Sequence, residues 1–155
     1  MAEQDDLGLA AIGLRSADLD RLVSFYTEAM PGSVTRRREE PDRRAWVKVL
    51  GVPLEVAEIP AWTAFDENQR RSLPAISFNV RADQVDELVG RLEASGVPHF
   101  GPVLKMQGNG VSVYFGDPDG VPLSYSCSGG YPIEGLSRNA ALWAAAPYEW
   151  KGSAR

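Results

Sequence analysis

Two hexapeptides, GVPLEV beginning at Gly51 and GVPLSY beginning at Gly120, open with the same four residues although they stand far apart in a chain of 155 residues. Such an echo leaves few folds open, because a duplicated stretch must build the same supersecondary unit twice and bury its apolar side against something. The echo is not confined to these peptides. Ala11-Ile12 corresponds to Ala75-Ile76, Asp18 to Asp83, and Leu22-Val23 to Leu88-Val89.

Each copy carries the same order of signals. In the first, LAAIGLR (Leu9 to Arg15) predicts a strand. Asp18 then suits a helix N-cap before Leu19, Leu22, Val23, Tyr26 and Met30 at helical spacing, with Pro31-Gly32 as the stop. Strands are expected at Val34–Arg38, Arg44–Leu50 and Pro53–Glu58. The second copy repeats this with a strand from Ala75, Asp83 as cap, Val85, Leu88, Val89 and Leu92 on one helical face, and Gly96 as stop. Strands follow near Pro98–Lys105, Val111–Gly116 and Val121–Cys127. Between the copies, residues 59–74 show neither period and read as a linker. The expected fold is α+β: two tandem βαβββ modules, about 9–58 and 75–127, whose curled mixed sheets form a cup. Residues 1–128 make one domain, and 129–155 form a C-terminal extension in which Ser137 could cap a short helix carrying Leu142 and Trp143, ended by Pro147.

Charge and cysteine use exclude several functions. With 21 Asp and Glu against 16 Lys and Arg, the net charge of −5 opposes phosphate neutralisation, so nucleic acid is not an expected partner. The lone Cys127 cannot staple the chain. The acidic start MAEQDDLG lacks the order of a signal peptide, and no apolar run reaches the ~18 residues of a membrane span. The expectation is a cytoplasmic protein with no membrane partner.

The stretches GLRSADLDRLVSFYTEAMPG and VYFGDPDGVPLSYS, within a similarity running from Leu9 to Cys127, resemble the first strand and helix and the last hairpin of the vicinal oxygen chelate superfamily. That superfamily includes glyoxalase I, extradiol dioxygenases, fosfomycin-inactivating enzymes and bleomycin resistance proteins. The resemblance implies metal ligands at equivalent points of each repeat, which here fall on Ala11 and Glu55, and on Ala75 and Ser124. Only one of the four is a strong cation ligand, whereas a divalent ion needs several converging N or O donors. No metal or other cofactor is therefore expected. The resemblance also implies a homodimer.

Alternation from those four points gives the cup-facing set: Ala11, Gly13, Arg15; Glu55, Ala57; Ala75, Ser77, Asn79; Ser124, Ser126. The opposite side, Ile12, Leu14, Leu54, Val56, Ile76, Phe78, Val80, Leu123 and Tyr125, is large and apolar. Small or polar residues on the cup side suit a cavity for a small organic ligand, or else let two sheets approach closely. A two-residue type II′ turn with Gly51 at its first central position would place Lys48 opposite Glu55 and Trp46 opposite Ala57. Glu55 and Lys48 then read either as an ion pair or as a general base beside a cation that stabilises negative charge. Trp46 stacks on an aromatic ligand or packs, Tyr114 is a further lining candidate, and Trp62 with Phe65 flanks the cup mouth or seals the two halves. The ligand-binding expectation comprises Arg15, Trp46, Ser77, Asn79, Tyr114, Ser124 and Trp62, for a protein that sequesters an apolar or aromatic molecule or, alternatively, a metal-free isomerase, cyclase or lyase.

Other features read as structural. DPDG (Asp117 to Gly120) is favoured turn chemistry, QGNG (Gln107 to Gly110) a hairpin turn, RRREEPDRR (Arg36 to Arg44) a solvated connection, and His99 a partly exposed structural histidine.

Overall fold

Both repeats fold as their apolar spacing requires, in a computed structural model that describes residues 9–138. The first consists of β1 (Ile12–Ser16), α1 (Leu19–Ser24) continued by a π-helical turn (Phe25–Ala29), β2 (Gly32–Arg38), β3 (Arg44–Val49) and β4 (Val52–Glu58). The Asp18 carboxylate accepts the Arg21 backbone N–H at 3.0 Å, as an N-cap should. Leu19, Leu22, Val23, Tyr26 and Met30 are all buried. After α2 (Glu67–Ser72), the second repeat gives β5 (Ile76–Asn79), α3 (Val85–Ala94), β6 (His99–Leu104), β7 (Val111–Gly116) and β8 (Pro122–Cys127).

The two sheets have the same order, β1-β4-β3-β2 and β5-β8-β7-β6, with β1 parallel to β4, β5 parallel to β8, and the remaining pairs antiparallel. This is the tandem βαβββ architecture, and the two sheets are not closed into a barrel. The repeats meet through their helix-bearing sides. Phe25 reaches Phe115, with ring centroids 6.4 Å apart, and the Arg91 guanidinium on α3 donates to the Thr27 and Met30 carbonyls at the end of the π-helical turn. One apolar cluster therefore includes Leu22, Tyr26 and Val56 from the first repeat together with Phe78, Leu88 and Tyr125 from the second. Among the described residues no helix covers the inner face of either sheet.

A buried polar contact fastens the same seam. The Tyr26 hydroxyl donates to Asp117 Oδ2 at 2.8 Å, while Asp117 Oδ1 accepts the N–H groups of Asp119 and Val121, each at 2.9 Å. DPDG is thus a turn whose first carboxylate serves both its own backbone and the other repeat. Burial pushes the Asp117 carboxyl up to about 7, against the opposing pull of those hydrogen bonds.

Three local expectations are corrected. The region read as a linker contains α2, whose Asp66 and Gln69 form a capping box; it buries no side chain, so no apolar period reveals it. Asp83 is not the cap of α3. It sits in a 3-10 turn (Ala82–Gln84) and pairs with the Arg81 guanidinium at 3.0 Å. RRREEPDRR is only partly a connection, since Arg36, Arg37 and Arg38 end β2 and Arg44 begins β3. Gly96 does end its helix, with φ of 67° and its N–H on the Glu93 carbonyl.

Beyond β8, Tyr131, Ile133 and Leu136 pack against the core, and the Ser137 carbonyl accepts the Leu104 N–H at 2.9 Å. The helix expected over Leu142 and Trp143 lies outside the described residues.

Candidate functional site

The inner face of the first sheet is set by alternation, because Leu14, Leu54, Val56, Ala45 and Val47 are drawn under the helix and their neighbours must point the other way. Gly13 and Arg15 are exposed, and Glu55 and Ala57 are half-buried, as the two-residue period requires. Cross-strand register then arranges these residues in rows. Gly13, Glu55, Trp46 and Arg36 form one row from β1 to β2, and Arg15, Ala57, Arg44 and Arg38 form the next.

That register corrects the expected pairing. Trp46, not Lys48, stands opposite Glu55; Lys48 stands opposite Pro53, and Arg44 opposite Ala57. The cause is the turn, in which Leu50 and Gly51 occupy the two central positions with φ of 47° and 81°, so that Val49 and Val52 close the ladder. Two positive φ values make a type I′ turn in place of the expected type II′; both suit a hairpin, although leucine rarely adopts such a φ. The displacement is two residues, so every side chain keeps its expected face.

Glu55 consequently has a different partner. Arg44 Nη1 donates to Glu55 Oε1 at 2.5 Å, and the same guanidinium pairs with Asp42, which also takes Arg38. Asp42 and Glu55 hold the Arg44 guanidinium above the usual arginine range. Trp46 is covered as well: the Arg36 guanidinium lies 4.6 Å from its ring centroid and that of Arg38 5.9 Å. Arg36, Arg44 and Asp42 were not singled out from the sequence. Alternation along β3 from Trp46 would have placed Arg44 on this face.

Trp62 reaches the same face from the linker. Its ring lies 5.9 Å from the Arg15 guanidinium carbon and packs edge-on against Phe65, with centroids 5.8 Å apart. Phe65 in turn donates its N–H to the Asp119 carbonyl, so this pair both borders the inner face at Arg15 and ties the linker to the second repeat. A recess of about 390 Å³ opens beside Arg15, Arg44, Glu55 and Ala57, and a second of about 310 Å³ beside Thr35, Trp46, Lys48 and Pro53.

The second sheet presents hydroxyls instead of charges. Ser77 pairs with Ser124 across β5 and β8, and Asn79 with Ser126. Ser124 Oγ donates to Ser77 Oγ at 3.0 Å, and Ser124 is buried at 5% exposure. Tyr114 lies opposite Ser124 on one side and Phe100 on the other, which places it on the inner face. The candidate residues therefore fall into two groups. Arg15, Trp46, Lys48, Glu55 and Trp62 share the first face; Ser77, Asn79, Tyr114 and Ser124 share the second.

The donor set does not suit a cation. In the equivalent central rows the pairs are Gly13 with Glu55 and Ser77 with Ser124; Ala11 and Ala75 lie just before β1 and β5. One carboxylate already bound to arginine, with hydroxyls and methyls, offers too few donors for a divalent ion. Among the described residues no three His, Cys, Asp or Glu side chains gather as a ligating group. His99 has its Nδ1 3.2 Å from the Val97 carbonyl and its Nε2 3.7 Å from Glu93, a structural placement.

Paired βαβββ modules, each a four-stranded mixed sheet with a helix on one side, define the architectural class. The chain belongs to the Glyoxalase/Bleomycin resistance protein/Dioxygenase superfamily, whose pattern matches residues 8–125. Among solved structures it is similar to the fosfomycin resistance protein FosX from Listeria monocytogenes, at 21% identity and a TM-score of 0.64, covering 79% of this chain and 93% of that one. A glyoxylase/bleomycin resistance protein/dioxygenase domain from Frankia sp. is similar at 23% identity and a TM-score of 0.65, covering 79% and 92%. The integron cassette protein HFX_CASS4, from the mobile metagenome of Halifax Harbour Sewage Outfall, matches at 25% identity and a TM-score of 0.61, covering 78% and 98%. FosX has also been solved with Mn(II) and sulfate. No curated protein matches the chain. Among the described residues no helix is long and apolar enough to cross a membrane.

Proposed function

We propose that this protein binds a small organic molecule on its open inner faces without a metal, in the manner of a sequestering or resistance protein. The observation that carries this reading is the chemistry at the positions where the superfamily places metal ligands: two methyls, a hydroxyl bonded to another serine, and Glu55 bonded to Arg44. Glu55 borders a recess on the first face, and among the described residues no group of carboxylates, histidines or cysteines gathers there as a cation cage. A homodimer fits the reading, because among the described residues no helix covers either inner face and a second copy would supply the opposing wall of a cup.

An enzyme of the same fold would use Glu55 as general base with Lys48 stabilising negative charge. The register weighs against it, since Lys48 stands opposite Pro53 and Arg44 engages the carboxylate. The test is a panel of aromatic natural products screened by thermal shift and then by mass spectrometry for chemical change. Stabilisation with unchanged ligand mass supports binding. Turnover that disappears in Glu55→Gln favours the enzyme, and absence of any stabilising compound overturns the binding reading.

A further inference from the structure

Five cations point from the inner face of the first sheet in a protein whose net charge is −5: Arg15, Arg36, Arg38, Arg44 and Lys48. Two are neutralised locally, since Arg38 and Arg44 share Asp42 and Arg44 also holds Glu55. Arg15, Arg36 and Lys48 form no ion pair among the described residues. Their neighbours Arg37, on β2, and Arg43, just before β3, are matched by acids, Asp20 and Glu39.

Two of the three unmatched cations are neighbours. Arg36 is directly across from Trp46, and Lys48 follows Trp46 by two residues along β3, which makes Arg36 and Lys48 a diagonal pair about 7–8 Å apart at Cβ. A single carboxylate between them can accept from both side chains, each of which is long enough to swing inward. The recess of about 310 Å³ is walled by Trp46, Lys48 and Pro53, and Arg36 adjoins it through its contact with Trp46. The Arg36 guanidinium carbon lies 4.6 Å from the centroid of the Trp46 ring, which puts its charge beside the indole that walls this recess.

Resting on the binding function proposed above, we infer that the first-repeat face selects an anionic aromatic molecule, its carboxylate held between Arg36 and Lys48 and its ring seated against Trp46 and Pro53. The two cations attract the carboxylate electrostatically, so binding weakens as salt screens the pair.

The probes are 1-naphthoate and 1-naphthalenemethanol, which share a ring and differ in charge, measured by isothermal titration on the full chain. The wild type should bind naphthoate at least about tenfold more tightly than the alcohol, as expected for charge-assisted hydrogen bonds. Lys48→Met and Arg36→Gln should each remove most of that preference while leaving the alcohol's affinity in place. Arg81→Gln, which removes an exposed cation on the other repeat, should change neither. Equal affinity for both probes would overturn the anion inference and leave small-molecule binding standing. Binding of neither probe would overturn the anionic aromatic inference, while the binding reading itself stands or falls with the thermal-shift panel. Naphthoate affinity that falls as protein concentration rises would mean that a second copy fills this recess instead of walling it, which also refutes the inference.

Discussion

Replacing Asp117 by asparagine should change how the stability of this protein depends on pH. The carboxyl is wholly buried at the junction of the repeats and is pushed up to about 7 from the 3.8 of a free aspartate, chiefly by desolvation. Its folded pKa is raised, so between those values the folded chain keeps a proton that the unfolded chain releases. Stability is then greatest below pH 4 as far as this group is concerned, and falls as pH rises toward 7. Each pH unit across that window removes about 1.4 kcal/mol, which gives a loss of roughly 4 kcal/mol by pH 8. Asparagine has the same shape. Its Oδ1 can accept the Asp119 and Val121 N–H groups, and its amide can donate to the Tyr26 hydroxyl, so the turn and the seam survive. Urea unfolding of wild type and Asp117→Asn at pH 4 and pH 8 measures the effect directly. The difference in unfolding free energy between the two proteins should shift by roughly 4 kcal/mol in favour of the variant as pH rises. Parallel pH profiles would refute the assignment of a protonated, buried carboxyl at this seam.

Tyr26→Phe should lower stability by about 2 kcal/mol in the same urea assay, because it removes a buried hydrogen bond to Asp117 and leaves that oxygen without a donor. Gly32→Ala should cost about 2 kcal/mol, since the added Cβ would stand 2.2 Å from the Tyr26 carbonyl oxygen and 2.9 Å from Val49 Cγ2, so backbone must move. Leu54→Ala should cost about 3 kcal/mol through the cavity left in the shared core, where Leu54 is fully buried. Arg44→Gln should leave the urea midpoint nearly unchanged, because the Arg44–Glu55 pair is about a third exposed and solvent screens it.

The duplication carried most of the fold into view. Apolar positions such as Leu22 with Val23 and Leu88 with Val89 report burial under a sheet, and the alternation through Leu54, Glu55 and Val56 reports facing; both are local consequences of geometry. Register was harder. VLGVPL admits a two-residue turn at Leu50-Gly51 or at Gly51-Val52, and the choice rests on ladder closure by Val49 and Val52, which no local preference announces. The site inherited that ambiguity, so Lys48 was assigned to a carboxylate that Arg44 takes. A capping box without an apolar face hid α2, and the approach of Trp62 to Arg15 depends on where the linker crosses the sheet. Asp117 was legible as a turn residue, but its bond to Tyr26 joins positions that only the packed repeats bring together.

Native mass spectrometry of the purified chain, titrated first with Mn(II) and Zn(II) and then with 1-naphthoate, tests the central claim most directly. The expected spectrum shows a naphthoate adduct and no metal retained after brief dialysis. A tightly held metal ion on each chain, with ligand binding lost when it is chelated, would contradict the account.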